Sequence, residues 1–259
     1  MIPLVIPPLS NLRVVVTRPA QQADGLCAAI TKRGGDVIRL PVLEIRAREV
    51  QLSRATYDLV VVISANAVDH GATLLKQLVA SQSSTQIAVI GNATANALQS
   101  IGFEAHIAAP APFNSEALLA HELLQSPPAN VLIIRGVGGR EVLRETLATR
   151  GSQVDVVEVY ERVVATVASD QRIAFHQALK EGLVDAVTFT STDIAQALMS
   201  QLSAEELEWT RACMALAGSV RIGEQLPALG WQGECIVSDS PDDITMLDTL
   251  VRWHTRSRN

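Results

Sequence analysis

Small and polar residues recur in this sequence directly after short aliphatic runs, where the strands of a parallel sheet would end. Hydroxyl groups, backbone N–H groups and guanidinium groups at one sheet edge bind an anion without a single dominant charge. The residues of this kind are Thr17, Arg18, Ser64, Ala65, Asn66, Gly91, Asn92, Arg135, Gly136, Ser191, Thr192, Gly218 and Ser219. The pattern favours binding of a polyanionic small molecule.

Several other chemistries lack their motifs. The five histidines show neither HxxxH nor HExxH spacing, and the three cysteines form no CxxC pair, so we expect no metal site. No GxSxG motif is present, which leaves a hydrolase triad without support. Capping of a helix N-terminus is the ordinary role of serines such as Ser64 and Ser191.

One glycine-rich segment invites a nucleotide interpretation. Residues 135–140 (RGVGGR) follow a predicted strand and open a predicted helix, an arrangement that binds phosphate. Glu141 replaces the third glycine of GxGxxG, and no Gly-Lys-Ser/Thr sequence occurs. A turn that presents N–H groups to a carboxylate is therefore the preferred interpretation, and we expect no cofactor.

The sequence pattern allows two roles each for Tyr160 and Thr94. Tyr160 lies in a strand-like run, where its phenol either donates a hydrogen bond to a ligand or packs as an ordinary aromatic side chain. Thr94 is either a first-turn helix residue or a ligand contact. Both alternatives stay open for each residue.

The elements that must position these side chains alternate between strand and helix. Short runs rich in Val, Ile and Leu, such as 14–17 and 59–63, are separated by stretches with helical spacing. This alternation predicts βαβ units around parallel sheets covered by helices on both faces. The expected class is α/β.

The sequence also repeats itself. Asp58 and Ser64 bound a run that matches the run from Asp185 to Ser191, at an offset of 127 (185 − 58). Arg18 and its helix match Arg135 and its helix at an offset of 117 (135 − 18). These matches indicate a duplicated domain. The repeat pairing sets Tyr160 opposite Leu43 (160 − 117).

Composition and charge exclude further classes. The chain has 259 residues, is 48% hydrophobic and 19% charged, and carries a formal net charge of −6, so neither disorder nor attraction to nucleic acid or an anionic membrane is expected. The apolar N-terminal stretch is broken by prolines and lacks the features of an export signal. We expect a cytoplasmic protein that binds neither nucleic acid nor membrane.

Taken together, these segments resemble the uroporphyrinogen-III synthase family. The matching segments, in chain order, are 17–19 (TRP), 64–68 (SANAV), 91–95 (GNATA), 114–118 (NSEAL), 135–140 with Gly151 and Val154, 159–162 (VYER) and 189–191 (FTS). The resemblance covers essentially the whole chain. One departure is 218–222 (GSVRI), which replaces the Gly-x-x-Thr-Ala pattern of 91–95, so no threonine role passes to Arg221.

The resemblance implies two flavodoxin-like parallel-sheet domains joined by a two-stranded linker, with the substrate between them. Lobe 1 would comprise residues 1–38 and 165–259, lobe 2 residues 47–153, and the linker strands residues 39–46 and 154–164. The repeat by itself does not decide between this crossed arrangement and two contiguous halves.

The resemblance also implies the reaction. The enzyme would be a hydro-lyase that cyclises hydroxymethylbilane, supplied by hydroxymethylbilane synthase, and inverts the terminal pyrrole through a spiro intermediate to give uroporphyrinogen III. It would be a monomer without cofactor or metal. Tyr160 would assist loss of the hydroxyl, and Ser115, Arg140 and Arg162 would join the sheet-edge residues and Thr94 in binding substrate. The alternatives are a two-lobed anion-binding or sensor protein without chemistry, and a nucleotide-dependent α/β enzyme.

Overall fold

The structure is a computed structural model that describes residues 7–257. Its strands are β1 (Arg13–Val16), β2 (Asp36–Arg39), β3 (Leu43–Ala47), β4 (Leu59–Val62), β5 (Gln86–Val89), β6 (Ile107–Ala108), β7 (Asn130–Gly136), β8 (Gln153–Val164), β9 (Ala186–Phe189), β10 (Met214–Ala217) and β11 (Cys235–Val237). Its helices are α1 (Ala20–Lys32), α2 (Ala65–Ser81), α3 (Asn92–Ser100), α4 (Ser115–Leu119), α5 (Glu122–Gln125), α6 (Val142–Thr149), α7 (Ser169–Lys180), α8 (Thr192–Ser200), α9 (Ala204–Ala212), α10 (Val220–Gln225) and α11 (Asp243–Ser257), with a 3₁₀ turn at Pro227–Leu229.

The chain divides into two compact units. The discontinuous unit contains the residues up to Glu44 and those from Val163 onward, and the continuous unit is Ile45–Arg162. The chain crosses from one unit to the other within β3 and within β8. No helix in the part of the chain that the structure describes is both long enough and apolar enough to cross a membrane.

The discontinuous unit is built on a five-stranded parallel sheet in the order β2-β1-β9-β10-β11. Numbered within the unit, this is the order 2-1-3-4-5 of flavodoxin-like folds. Alternation along β1 explains its continuous aliphatic sequence. Val15 packs on one face with Phe175 and Phe189, while Val14 and Val16 pack on the other face. The α/β class expected from the sequence is confirmed.

The continuous unit has a six-stranded sheet in the order β3-β8-β7-β4-β5-β6. The five strands from β8 to β6 are parallel and occupy the positions that β2-β1-β9-β10-β11 occupy in the other unit. The equivalents of β1 and β2 are therefore β7 and β8, which come last in this unit rather than first. This permuted order accounts for the two different sequence offsets.

Equivalent helices also end alike in the two units. Arg33 caps α1 and Arg150 caps α6, and each is followed by a glycine with positive φ, +87° at Gly34 and +99° at Gly151. A glycine in this conformation lets the backbone turn away and satisfies the last helix carbonyls. The Arg-Gly pairs found in the sequence are thus matching helix stops.

Candidate functional site

Ser64 stands at the carboxyl end of β4 and caps α2. Its Oγ accepts a hydrogen bond from the Ala67 N–H at 3.2 Å, as expected for an N-cap serine. Ala65 and Asn66 form the first turn of α2 and are half-buried, as is Ser64 itself. The ordinary capping role is confirmed for Ser64, and the structure adds a second contact to its hydroxyl.

That second contact is Tyr160. Its phenol oxygen lies 3.1 Å from Ser64 Oγ, and Arg162 Nη2 donates to the same oxygen at 3.3 Å. The Arg162 guanidinium also lies 5.5 Å from the centre of the Tyr160 ring, and the His70 ring centre lies 5.8 Å away. Three residues named from the sequence therefore meet in one hydrogen-bonded group, which we call the tyrosine network: Ser64, Tyr160 and Arg162.

A β-bulge sets the position of Tyr160. β8 pairs with β7 in regular register as far as Arg135 opposite Glu158, and then Gly136 pairs with Tyr160. The extra residue is Val159. Val159 and Tyr160 both lie in the same buried cluster, whereas a regular strand would place them on opposite faces of the sheet. Bulges re-aim side chains in this way beside functional sites. Single-sequence patterns do not reveal a bulge.

Gly136 makes room for the Tyr160 ring. A Cβ at position 136 would lie 2.4 Å from Tyr160 Cζ, far inside van der Waals contact. This steric requirement explains why a glycine follows Arg135 in the segment that resembled a phosphate loop. Gly136 therefore provides space for the Tyr160 ring in this structure.

Arg135 is held by acids of its own unit. Its Nη2 donates to Glu141 at 2.7 Å and to Glu158 at 3.4 Å, and its Nη1 faces the carbonyl of Gly139. Hydrogen bonds from Arg135 and Arg144 lower the pKa of Glu141, so this acid stays ionised at neutral pH. Arg135 thereby fastens the loop that follows β7.

Arg140 and Ser115 lie at a cavity of about 170 Å³ in the continuous unit. Its lining combines apolar side chains, including Ile63 and Ile133, with Arg135 and Arg140. Arg140 is exposed and donates to both carboxylate oxygens of Glu116, at 2.8 and 3.3 Å. A lining that combines apolar side chains with guanidinium groups suits a ring that carries carboxylates.

Two residues of this cavity region were not selected from the sequence. Phe113 lines the cavity with its side chain 46% exposed and has φ +54°, a conformation that costs a non-glycine residue energy. Glu116 neutralises Arg140, and a hydrogen bond from its own backbone N–H, together with Arg140, lowers the pKa of Glu116. In the sequence, Pro110 and Pro112 indicate an unusual turn just before Phe113.

Gly91 and Thr94 begin α3. Gly91 is the N-cap position, with φ +83° and no side-chain cap, so the first N–H groups of α3 lack a capping side chain. Thr94 is buried and donates its hydroxyl to the Ile90 carbonyl at 2.8 Å. The backbone bond of Thr94 fits the first-turn alternative, and a substrate role for it stays a prediction.

The sheet-edge residues of the discontinuous unit are also engaged in hydrogen bonds within the protein. Thr17 is buried and donates to the Thr188 carbonyl, and the buried Arg18 pairs with Asp243 and donates to the Pro241 carbonyl at 3.0 Å. Ser191 and Ser219 cap α8 and α10. Thr192 donates to the Gln225 side chain. Among the described residues, no three His, Cys, Asp or Glu side chains gather as metal ligands would.

Comparison with known families decides the identity. A family model described as Uroporphyrinogen-III synthase HemD matches residues 24–247, which span both units. The chain belongs to the uroporphyrinogen-III synthase family. The function and class expected from the sequence are confirmed: uroporphyrinogen-III synthesis by a lyase of porphyrin and haem biosynthesis. The non-catalytic anion-binding alternative has no support.

Individual members show the same relationship. The uroporphyrinogen-III synthase of Salmonella typhimurium is 29% identical over 253 residues, covering 92% of this chain and 100% of that protein. The Proteus mirabilis protein of the same name is 33% identical over 171 residues, covering 62% and 85%. A solved uroporphyrinogen III synthase mutant from the extreme thermophile Thermus thermophilus shares the fold, with a TM-score of 0.62 and 19% identity over 95% of this chain and 99% of that one.

Proposed function

We propose that this family member cyclises hydroxymethylbilane using the carboxyl edge of the continuous unit's sheet, and that Tyr160 assists departure of the hydroxyl group. The observation that carries the proposal is the tyrosine network, because it places a phenol between a helix-capping hydroxyl and a guanidinium. Hydroxymethylbilane is the substrate implied by the family.

The hydrogen bonds of the network favour proton donation by Tyr160. Ser64 Oγ already accepts from Ala67, so its own proton is available for the phenol oxygen. Arg162 donates to the same oxygen. We assign Ser64 as the donor in its contact with Tyr160, so that the phenol oxygen accepts from both Ser64 and Arg162 and the Tyr160 proton remains available for a further acceptor. The Arg162 cation also stabilises the negative charge that the oxygen gains as the proton leaves.

The substrate supplies most of the electronic push. Its pyrrole nitrogen expels the hydroxyl as water, and the resulting azafulvene is attacked by the far pyrrole at its substituted carbon. The spiro intermediate then fragments and closes again with that ring inverted. The protein therefore contributes mainly orientation, which is worth on the order of 7–11 kcal/mol when reacting atoms are held in contact.

The substrate's carboxylates need cationic and N–H partners. We assign this task first to Arg140, which is exposed and whose ion pair with Glu116 is open to solvent and therefore of little net stability. Arg135 and Gly136 shape the adjoining loop, and Gly91 leaves helix N–H groups uncapped. The proposed contacts further include Ala65, Asn66, Thr94 and Ser115 here, and Thr17, Arg18, Ser191, Thr192 and Ser219 in the discontinuous unit.

Replacement of each tyrosine by phenylalanine tests the proposal. Tyr160→Phe keeps the ring and removes the hydroxyl. We expect kcat to fall about 10- to 100-fold, at or below the lower end of the roughly 10²- to 10⁴-fold that assisted proton transfer contributes, because the substrate supplies most of the driving force. Tyr57→Phe is the matched control, because Tyr57 is the chain's other tyrosine and bonds Asp155. A loss below about threefold for Tyr160→Phe would leave the phenol without a catalytic role.

Product analysis tests the reaction itself. The protein is incubated with enzymatically generated hydroxymethylbilane, and the type I and type III isomers are separated by chromatography. We expect type III to dominate, since spontaneous closure gives the uninverted type I ring. A product ratio equal to that of the spontaneous reaction contradicts the proposal.

We further propose that the protein is a cytoplasmic monomer that receives the bilane from hydroxymethylbilane synthase. Each unit contains its own buried core, and all three cysteines are free thiols, which suits a reducing compartment. We retain 1–38 with 165–259 and 47–153 as the lobes and 39–46 and 154–164 as linkers, since both unit boundaries fall inside those linker segments. Light scattering during gel filtration should give the mass of one chain.

A further inference from the structure

The discontinuous unit has a second cavity, which the proposed function does not use. It measures about 340 Å³ and lies between the edge strand β11 and helix α11. Ile236, Val237 and Thr249 form part of its wall, and Arg252, Trp253 and Arg256 come from the second half of α11. A volume of this size is in the range of small-molecule sites.

Two arginines give the cavity its charge. Arg252 and Arg256 are one helical turn apart on α11, so their side chains project from the same face, with Cβ atoms about 6 Å apart. In the portion of the chain that the structure describes, neither guanidinium forms an ion pair. Arg252 donates to the Thr249 hydroxyl at 3.1 Å and faces the Asp248 carbonyl at 3.4 Å. Both therefore keep donors for an anion.

The lining also includes one acid, Glu234, which is bonded to another residue of the same lining. Glu234 accepts a hydrogen bond from the indole N–H of Trp253 at 2.8 Å. This bond fixes the edge of the indole, which is half-buried against the cavity. The wall thus combines an oriented aromatic ring, aliphatic side chains from β11 and two guanidinium groups.

The two arginines of the cavity are far from the carboxyl edge of the sheet, although the lining extends to Val237 at the end of β11. α11 begins at Asp243, which pairs with Arg18 at that edge. Arg256 lies thirteen residues further along the helix (256 − 243), or about 20 Å at 1.5 Å per residue. A ligand at Arg252 and Arg256 is therefore separate from the residues proposed for catalysis.

We propose that this cavity is a second binding site for a carboxylated pyrrole. Each ring of a uroporphyrinogen carries an acetate and a propionate on neighbouring carbons, so one ring presents two carboxylates to two guanidinium groups. The ring itself would pack against Trp253 and the aliphatic wall. The inference rests on the proposed function for its ligand chemistry, and the site takes either a free pyrrole diacid or one ring of a tetrapyrrole.

Quenching of tryptophan fluorescence tests the site in the full chain. Porphobilinogen, a monopyrrole with one acetate and one propionate, serves as the first probe, and uroporphyrin III as the second. We expect saturable quenching that weakens with salt and is lost in Trp253→Phe. Binding of porphobilinogen alone identifies a free pyrrole as ligand, and binding of uroporphyrin III as well identifies a ring of the macrocycle.

Variants that remove charge test whether Arg252 and Arg256 bind the ligand. Arg252→Ser with Arg256→Ser should weaken porphobilinogen binding at least about tenfold and leave kcat and KM for the bilane unchanged. Lys32→Ser with Arg33→Ser removes the same charge from an exposed part of the same unit and should leave binding unchanged. Tyr160→Phe should also bind normally, which separates this inference from the proposed function.

Three results would overturn the inference. Glutarate, a dicarboxylate without a ring, could compete as well as porphobilinogen, which would reduce the cavity to a simple anion site. The Lys32 and Arg33 pair could weaken binding as much as the Arg252 and Arg256 pair. The Arg252 and Arg256 variant could lower Tm without changing the quenching, as it would if these arginines only complement the C-terminal end of α11.

Discussion

The two units share a strand order, yet only one carries a phenol at the sheet edge. Ser64 and Ser191 occupy equivalent positions after β4 and β9, with φ −156° at both and cap bonds of 3.2 Å. Ser64 also contacts Tyr160, whereas the sequence repeat pairs Tyr160 with Leu43, an apolar residue that packs in a buried hydrophobic cluster. Duplication supplied two similar sheet edges, and the proton donor that we propose stands at one of them.

The arginines that follow β1 and β7, in contrast, have similar contacts in the two units. Arg18 and Arg135 are also equivalent, and each pairs with an acid of its own unit, Asp243 and Glu141 respectively. Among the described residues, the Nε atoms of both are buried without a partner. These shared ion pairs position each arginine within its own unit, and the residues that differ between the two units are where the specific chemistry should be sought.

The largest effect should come from the glycine under Tyr160. In Gly136→Ala the new Cβ meets the ring at 2.4 Å, so the ring must move and the tyrosine network breaks. We expect a stability loss of about 1–3 kcal/mol from overpacking, together with a loss of kcat larger than that of Tyr160→Phe. Thermal unfolding and turnover measure the two effects.

Gly139→Ala is the matched control in the same loop. The three atoms nearest to its Cβ would all belong to the Arg135 side chain, the first at 3.0 Å, and none of them to Tyr160. Equal losses of turnover in both variants would mean that the loop as a whole matters rather than the fit between Gly136 and Tyr160.

The scaffold could be predicted from sequence because it rests on local patterns. Aliphatic strands, Arg-Gly helix stops and serine caps each depend on residues close together in the chain, and their repetition identified the duplication. The ordered motifs then sufficed for the family. The roles of Ser64 and Ser191 as caps followed from the same local rules.

The contacts of the site depend on tertiary structure and could not be predicted in this way. Nothing in residues 153–164 shows that a bulge turns Tyr160 inward, or that Gly136 lies under its ring. The exposed Phe113 likewise depends on a backbone conformation that its residue type disfavours. Such features arise where the global fold overrides local preference.

A smaller effect should separate the two serine caps. Ser64→Ala and Ser191→Ala each remove one N-cap bond, so each should cost about 1 kcal/mol of stability. Ser64→Ala also removes a donor from Tyr160, so kcat should fall about tenfold below that of Ser191→Ala. Paired measurements of unfolding free energy and kcat test this. Equal falls in kcat would show that the two edges contribute alike.

The smallest effect concerns the caps that follow the last strand of each sheet. Asp242 precedes α11 and accepts from the Thr245 N–H at 2.9 Å, while Asn114 caps α4 in the continuous unit. The Thr245 backbone bond, with further bonds from Thr245 and Ser240, lowers the pKa of Asp242 to about 2. Of these two caps, only the one in the discontinuous unit therefore titrates.

The sign of the pH dependence follows from this lowered pKa. Asp242 contributes stability above its ordinary pKa of 3.8, and that contribution is lost as pH falls towards about 2. Asp242→Asn should therefore be less stable than the parent near neutral pH, by under about 1 kcal/mol, and the difference should vanish below pH about 2. All three tryptophans, Trp209, Trp231 and Trp253, lie in the discontinuous unit, so their fluorescence reports its unfolding. A constant difference between the two proteins across this range would show that the charge of Asp242 is not what stabilises the start of α11.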